Sequence, residues 1–412
     1  MPDVPTPRAT PPDRTPVSGE TEGAHDVSLL LGGPFFQLLL RAGLIRPTFD
    51  LLVRRIVVLA LLAWAPLLVL TLLAGTALGG HVKVPFLLDV EAYARFLVAI
   101  PLLVLAEREI HLRLRPLFSQ FLERELLAPA DVGSFDAILA SARRWRNSYA
   151  AEALMVVVAF GMTPLLWRPH IVLDVGTWYA RPTGGDLELS PAGWWYGYAA
   201  IPLMRFLLLR WIYRLVLLYV GLGRIARLPL RLVPTHPDGA GGLAFLEQLG
   251  VSLRTFQMAV TSVVSGYIGG QILFGGRTLA DFYVLGGVVL GVLAVLTLLP
   301  VLFFAGPLVA ARRRGLREYG ALAQRYVFAF EQKWVRPGTG AAPARELLGS
   351  ADVQSLADLS TGFAAVRGMR TIPVGLRELA ALVVGAALPL APLLLTTFSL
   401  EAIVQQLIQL VL

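Results

Sequence analysis

Three arginines inside one apolar stretch, Arg205, Arg210 and Arg214, are the side chains of this 412-residue sequence best placed to do chemistry. A charge at membrane depth is costly, and such groups face a bundle interior, an ion path or a partner. At 3.6 residues per turn Arg210 and Arg214 lie about 40° apart, and Arg205 lies about 180° from Arg214. A voltage-sensor ladder needs arginines at every third position, so this spacing argues against one. Arg205 and Arg210 suit an ion pair or an anion contact, and plain structural pairing is equally open. Arg214 can snorkel to the headgroups. Carboxylates near span ends that could answer them are Glu91, Glu107, Glu109, Glu152 and Glu378, although Glu91 has Arg95 one turn away.

A second polar set lies in 255–275. Ser262, Gly266 and Gly270 recur at a spacing of four, the small-residue ridge of close helix packing. With Ser265, and with Gln257 and Gln271 at its ends, the same helix could instead present a polar wall to a conduit. A third set is the run from Pro234 to Leu243. Here Gly239, Gly241 and Gly242 permit conformations closed to other residues, and exposed amides beside His236 and Asp238 could bind an anion. The competing reading is a rigid turn whose amides are satisfied by Asp238 and Thr235. The His-Pro-Asp tripeptide also marks J-domain co-chaperones, but the soluble helical hairpin that carries it there is missing.

Catalysis has little to work with. The five histidines, His25, His81, His111, His170 and His236, have no histidine partner three or four residues away, so no zinc-binding helix is expected. Ser265-Gly266 has Val263 where an intramembrane serine nucleophile would need glycine, and no histidine lies in a span to activate it. There is no phosphate-binding loop, no paired span histidines for haem, and no cysteine. Neither an enzyme, a cofactor nor a bound metal is expected.

The elements that must position these groups are membrane helices. Hydrophobic residues make up 56% of the chain and charged residues 16%, against about 25% in soluble domains. Residues 56–80, 255–276, 282–311 and 379–400 contain no Asp, Glu, Lys or Arg, and each exceeds the roughly 20 residues needed to cross a bilayer. The expected fold is an all-α integral membrane protein, a bundle of about seven spans near 56–79, 90–107, 151–167, 195–219, 255–275, 282–309 and 378–398. Cytoplasmic helices extend it in 108–150 and 310–377. Residues 1–27 are Pro-, Thr- and acid-rich, as in a disordered cytoplasmic tail. Residues 28–55 form an amphipathic segment at the membrane surface. Thr177 to Leu189 reads as an outer hairpin, and no internal repeat is evident.

Lysine and arginine set the orientation. Twenty-eight fall in the amino-terminal tail and the connections after the second, fourth and sixth spans, against four in the opposite connections. The amino terminus is therefore expected in the cytoplasm. This topology also explains the net charge of +8 without nucleic-acid binding. The final segment carries Gln405, Gln406 and Gln409 as a narrow polar stripe on an otherwise apolar helix. It can lie flat at the interface, line the axis of a homo-oligomer, or complete a re-entrant hairpin.

The Pro234–Leu243 run, the segment Asp352-Val353-Gln354-Ser355-Leu356-Ala357-Asp358-Leu359 and the proline-kinked last span together resemble an uncharacterised group of bacterial multi-span membrane proteins. That resemblance implies a bacterial inner-membrane protein and brings no activity with it. Function is ranked as an oligomeric ion or small-solute channel first, then a secondary transporter of a small, possibly anionic solute. A non-transport scaffold or signalling component comes third. The partners expected are the bilayer, further copies of the chain, and an ion or solute.

Overall fold

The computed structural model describes residues 32–43, 51–79, 82–170, 176–183, 186–336 and 351–396. Its regular structure is almost wholly helical. A short α1 (Pro34–Arg41) precedes α2 (Leu52–Leu73), α3 (Val90–Tyr93), α4 (Ile100–Glu123), α5 (Val132–Arg146) and α6 (Tyr149–His170). A hairpin of β1 (Ala180–Thr183) and β2 (Asp186–Leu189) leads to α7 (Pro191–Trp195), α8 (Ile201–Ile225) and α9 (Gln248–Phe274). The chain continues through α10 (Tyr283–Leu302), α11 (Ala305–Phe330), α12 (Ala351–Gly368) and α13 (Leu376–Ala387).

Four stretches are long and apolar enough to cross a membrane: Leu52–Leu73, Pro191–Ile225, Leu279–Leu302 and Arg377–Thr396. α6 adds a shorter apolar helix over Tyr149–Thr163. The other two expected spans fall below that apolarity for a visible reason. α4 and α9 pack against each other in the middle of the bundle, and α9 also meets α3, α10 and α13. A helix sheathed by protein can carry Ser, Thr and Gln where a lipid-facing helix cannot.

Breaks in the helices follow from local chemistry. Pro307 lacks an amide hydrogen and its ring collides with the carbonyl four residues back, that of Phe303. The expected span 282–309 accordingly ends at Leu302, and α11 starts as a separate helix at Ala305. Pro389 and Pro392 act similarly, tightening residues Leu388–Thr396 into a 3-10 helix. α5 stops at Arg146, separate from α6. There the Asn147 side chain accepts from Gly33 N at 3.1 Å and the Ser148 hydroxyl caps Ala151 N, so both compete with helix propagation.

The hairpin forms as expected. Ala180 pairs with Leu189 and Thr183 with Asp186, leaving Gly184-Gly185 between the strands. On the opposite side α12 lies antiparallel to α11, with Tyr326 donating to Asp352 O at 2.9 Å and Arg312 to Arg367 O at 2.7 Å. The segment 28–55 contains α1, which docks on α8 through Phe35 and Phe206 with ring centroids 5.1 Å apart. Residues 1–27 and the terminal segment with Gln405, Gln406 and Gln409 lie outside the described residues.

Candidate functional site

Two long helices carry the same irregularity near their amino-terminal ends. Asp89 caps α3 by accepting from Glu91 N and Ala92 N; Ser190 caps α7 by accepting from Gly193 N. Each short helix runs into a wide π-helical turn, Ala94–Ala99 in one and Tyr196–Ala200 in the other. Each then resumes as a long helix on matching residues, Ala99-Ile100-Pro101-Leu102 and Ala200-Ile201-Pro202-Leu203. The two turns meet, with Arg95 donating to the Tyr196 hydroxyl and to Glu91. Trp178 seals their outer end, bonding Asp89 Oδ2 at 2.8 Å and stacking edge-on to Tyr196.

About 18 Å further along, at 1.5 Å per residue from Arg95, α4 carries Glu107. Its carboxylate is the hub of a buried charge cluster. Arg55 from the first turn of α2 donates to Oε2, while Arg210 and Arg214 from α8 reach Oε1 at 3.1 and 2.7 Å. Arg210 lies 3.5 Å from Glu152 at the start of α6, donates to Gly32 O, and stands 4.9 Å over the Phe35 ring. Glu152 also accepts from Phe35 N. Arg55, Glu107, Arg210 and Arg214 are only 2%, 5%, 3% and 3% exposed.

The cluster is not electrically balanced. Three guanidinium groups face two carboxylates, and Arg55 Nε and Arg214 Nη2 are buried with no hydrogen-bond partner among the described residues. An unmatched buried charge costs several kcal/mol by the order of magnitude for such ions. An arrangement of this kind is suited to hold a further negative group. Between Arg95 and Glu107 the helix face is apolar and closed, with Phe96, Ala99, Ile100 and Leu103 all buried.

Arg210 therefore sits in a site with two of the five expected partners, Glu107 and Glu152. Arg214, expected to snorkel, is buried there as well. Arg205 lies apart and half-buried, donating to Thr163 Oγ1 at 3.1 Å. Along α9, Gln257 donates to Leu293 O and Thr297 Oγ1 of α10, and Ser262 to Met258 O of its own helix. Gly266 faces Ala94 and Glu91, Ser265 and Gln271 are half-buried, and the small-residue ridge serves helix packing. These residues do not converge with Arg205 and Arg210.

The Pro234–Leu243 run is occupied by its own carboxylate. Asp238 accepts from the amides of Ala240, Gly242 and Ala244 at 2.8 to 3.1 Å, with His236 Nδ1 2.9 Å away. Positive φ angles of 64°, 63° and 99° at Gly239, Gly241 and Gly242 are what wrap the chain around it. Those amides are taken, which is the geometry of the rigid turn. Arg370 ties the turn to the end of α12, donating to Asp238 O and Glu247.

Among the described residues no group of three or more His, Asp or Glu side chains is placed to hold a metal ion. Sequence reasoning weighed Arg55 only as a topology anchor. Its signal was its place one turn into a helix whose remaining 18 residues carry no charge. No protein-family model matches the chain, and neither the curated proteins nor the solved structures contain a match.

Proposed function

We propose that this is a seven-span inner-membrane protein with a cytoplasmic amino terminus, acting as a carrier for a small anionic solute. The observation that carries the proposal is the convergence of Arg55, Arg210 and Arg214 on Glu107 in a buried cluster with an excess positive charge. Glu107 fills the place that a solute carboxylate or oxyanion would take. A solute carboxylate or oxyanion that displaces Glu107 would be held by the same three guanidinium groups.

One observation favours a carrier over the channel ranked first on sequence. The α9 side chains that would have lined a conduit are spent on helix packing. An oligomeric pore along Gln405, Gln406 and Gln409 stays a separate proposal, which requires that deleting 400–412 change the particle mass in detergent.

The test is flux in liposomes holding the purified full-length chain, with acetate, lactate, bicarbonate, nitrate and phosphate as probes. The expected result is saturable uptake of at least one anion, lost in Arg210→Gln while that variant still purifies folded. Sustained, non-saturating currents in a planar bilayer would replace the carrier with a channel. Absence of flux for every probe would overturn the proposal.

A further inference from the structure

A groove runs along the outer face of α8 where that helix leaves the bundle. A cavity of about 560 Å³ lies between α8 and the α10–α11 break, walled by Val216, Val220, Gly223 and Phe303. At Ala226, Arg227 and Pro307 it meets a second cavity of about 780 Å³ under the 226–234 connection, into which Arg231 and Arg314 project. Val216 and Val220 are each about half exposed, on a helix long and apolar enough to cross a membrane. The wall is therefore apolar where hydrocarbon would lie and basic just beyond it.

The basic end is short of counter-charge. Arg224, Arg227, Arg231 and Arg314 are exposed, and Glu318 is the one carboxylate among the residues lining the two cavities. None of the four arginines makes an ion pair among the described residues; Arg224 reaches only the Ser141 hydroxyl, at 3.4 Å. An apolar slot ending in unpaired guanidinium groups complements one molecule in particular: an amphiphile with an acyl chain and a phosphate. Basic pockets between membrane helices on the cytoplasmic side recognise anionic headgroups in this manner.

We propose that this groove is a binding site for an anionic phospholipid, one acyl chain lying against Val216, Val220 and Phe303 and its phosphate among Arg227, Arg231 and Arg314. The site is separate from the Glu107 cluster and does not depend on the carrier reading. It needs only that α8 cross the membrane.

Native mass spectrometry of the delipidated full-length protein, titrated with mixed micelles of phosphatidylglycerol or phosphatidylcholine, tests it. Phosphatidylglycerol should be retained well above phosphatidylcholine. The double variant Arg227→Gln/Arg314→Gln should lower that retention roughly 25-fold, about fivefold per arginine at a membrane surface. Arg227→Lys/Arg314→Lys should largely restore it. Val220→Trp should displace lipid without touching the arginines. Equal retention of the two lipids, or an equal loss in the distant control Arg325→Gln, would overturn the site. So would full displacement by millimolar inorganic phosphate, which would assign the arginines to a soluble anion.

Discussion

Arg95 and Tyr196 occupy equivalent positions of two helices that each carry a π turn, and they are hydrogen-bonded to each other. Each lies six residues before the proline of its continuing helix, Pro101 or Pro202, although the π turn begins one residue before Arg95 and at Tyr196 itself. Their contact is the point where the two π turns lock. Phe96 packs edge-on against the Tyr196 ring at 6.0 Å, so the hydroxyl is aimed by an aromatic wall.

Tyr196→Phe removes the acceptor and leaves the ring. Arg95 keeps Glu91, so the loss should be that of one buried charged hydrogen bond, about 1.5–3 kcal/mol. The expected outcome is a lower melting temperature in detergent. An unchanged melting temperature would mean that the Arg95–Glu91 pair alone holds the turn.

At Glu107 the stakes are larger, because removing one partner leaves three guanidinium groups facing only Glu152. Glu107→Ala should cost about 3–5 kcal/mol, the range for breaking a buried pair. Adding Arg214→Met should recover part of that loss by discharging the cluster, although it deletes a second polar group. Chemical or thermal denaturation of the single and double variants reads the coupling. Additive losses would show that Glu107 and Arg214 act independently.

How much of this was legible in the sequence varies with the kind of feature. The hairpin, the α11–α12 extension and the proline breaks follow from local chemistry, and local chemistry is written along the chain. The cost of placing Arg210 in a span was also legible, as was a shortlist of partners that contained Glu107 and Glu152. Which carboxylate it meets was not. Arg55 and Glu107 are separated by 52 residues and Glu107 and Arg210 by 103, so only packing decides that all three converge. The repeat in the two π-turn helices escaped for a different reason. It rests on the four residues Ala-Ile-Pro-Leu and on a backbone turn, too little to register before the helices are seen side by side.

The Asp238 turn should respond to pH. Burial opposes the charged form there, but the amides of Ala240, Gly242 and Ala244, with His236, hold the carboxyl below its ordinary 3.8. A depressed folded value means the turn contributes stability above the unfolded value and loses it as pH falls through the folded one. Asp238→Asn should therefore melt below the parent at neutral pH, with the gap narrowing once the pH drops below about 3.8. A gap that stays constant into acid would assign the loss to shape and not to charge.

Orientation can be read with reporters. The excess of lysine and arginine in alternate connections predicts that the hairpin side is outside and the α11–α12 side in the cytoplasm. Fusion after Asp186 should report an external location and fusion after Gly338 a cytoplasmic one. A reversal of either would overturn the seven-span orientation.

The ridge on α9 separates packing from conduit at single-atom scale. A methyl group added at Gly266 would run into the Ala94 side chain and come within 3.2 Å of the Glu91 backbone, which cannot rotate away. At Gly270 the nearest atoms are those of the Glu91 side chain, at 3.8 Å, an ordinary contact. Helix propensity favours alanine over glycine by about 1 kcal/mol at either place. Overpacking costs about 1–3 kcal/mol, and it applies only at Gly266. Gly270→Ala should therefore be neutral or slightly stabilising, while Gly266→Ala should destabilise and should loosen the Arg95 turn that α9 supports. If α9 instead lined an open water path, both added methyl groups would find space and the two variants would melt alike.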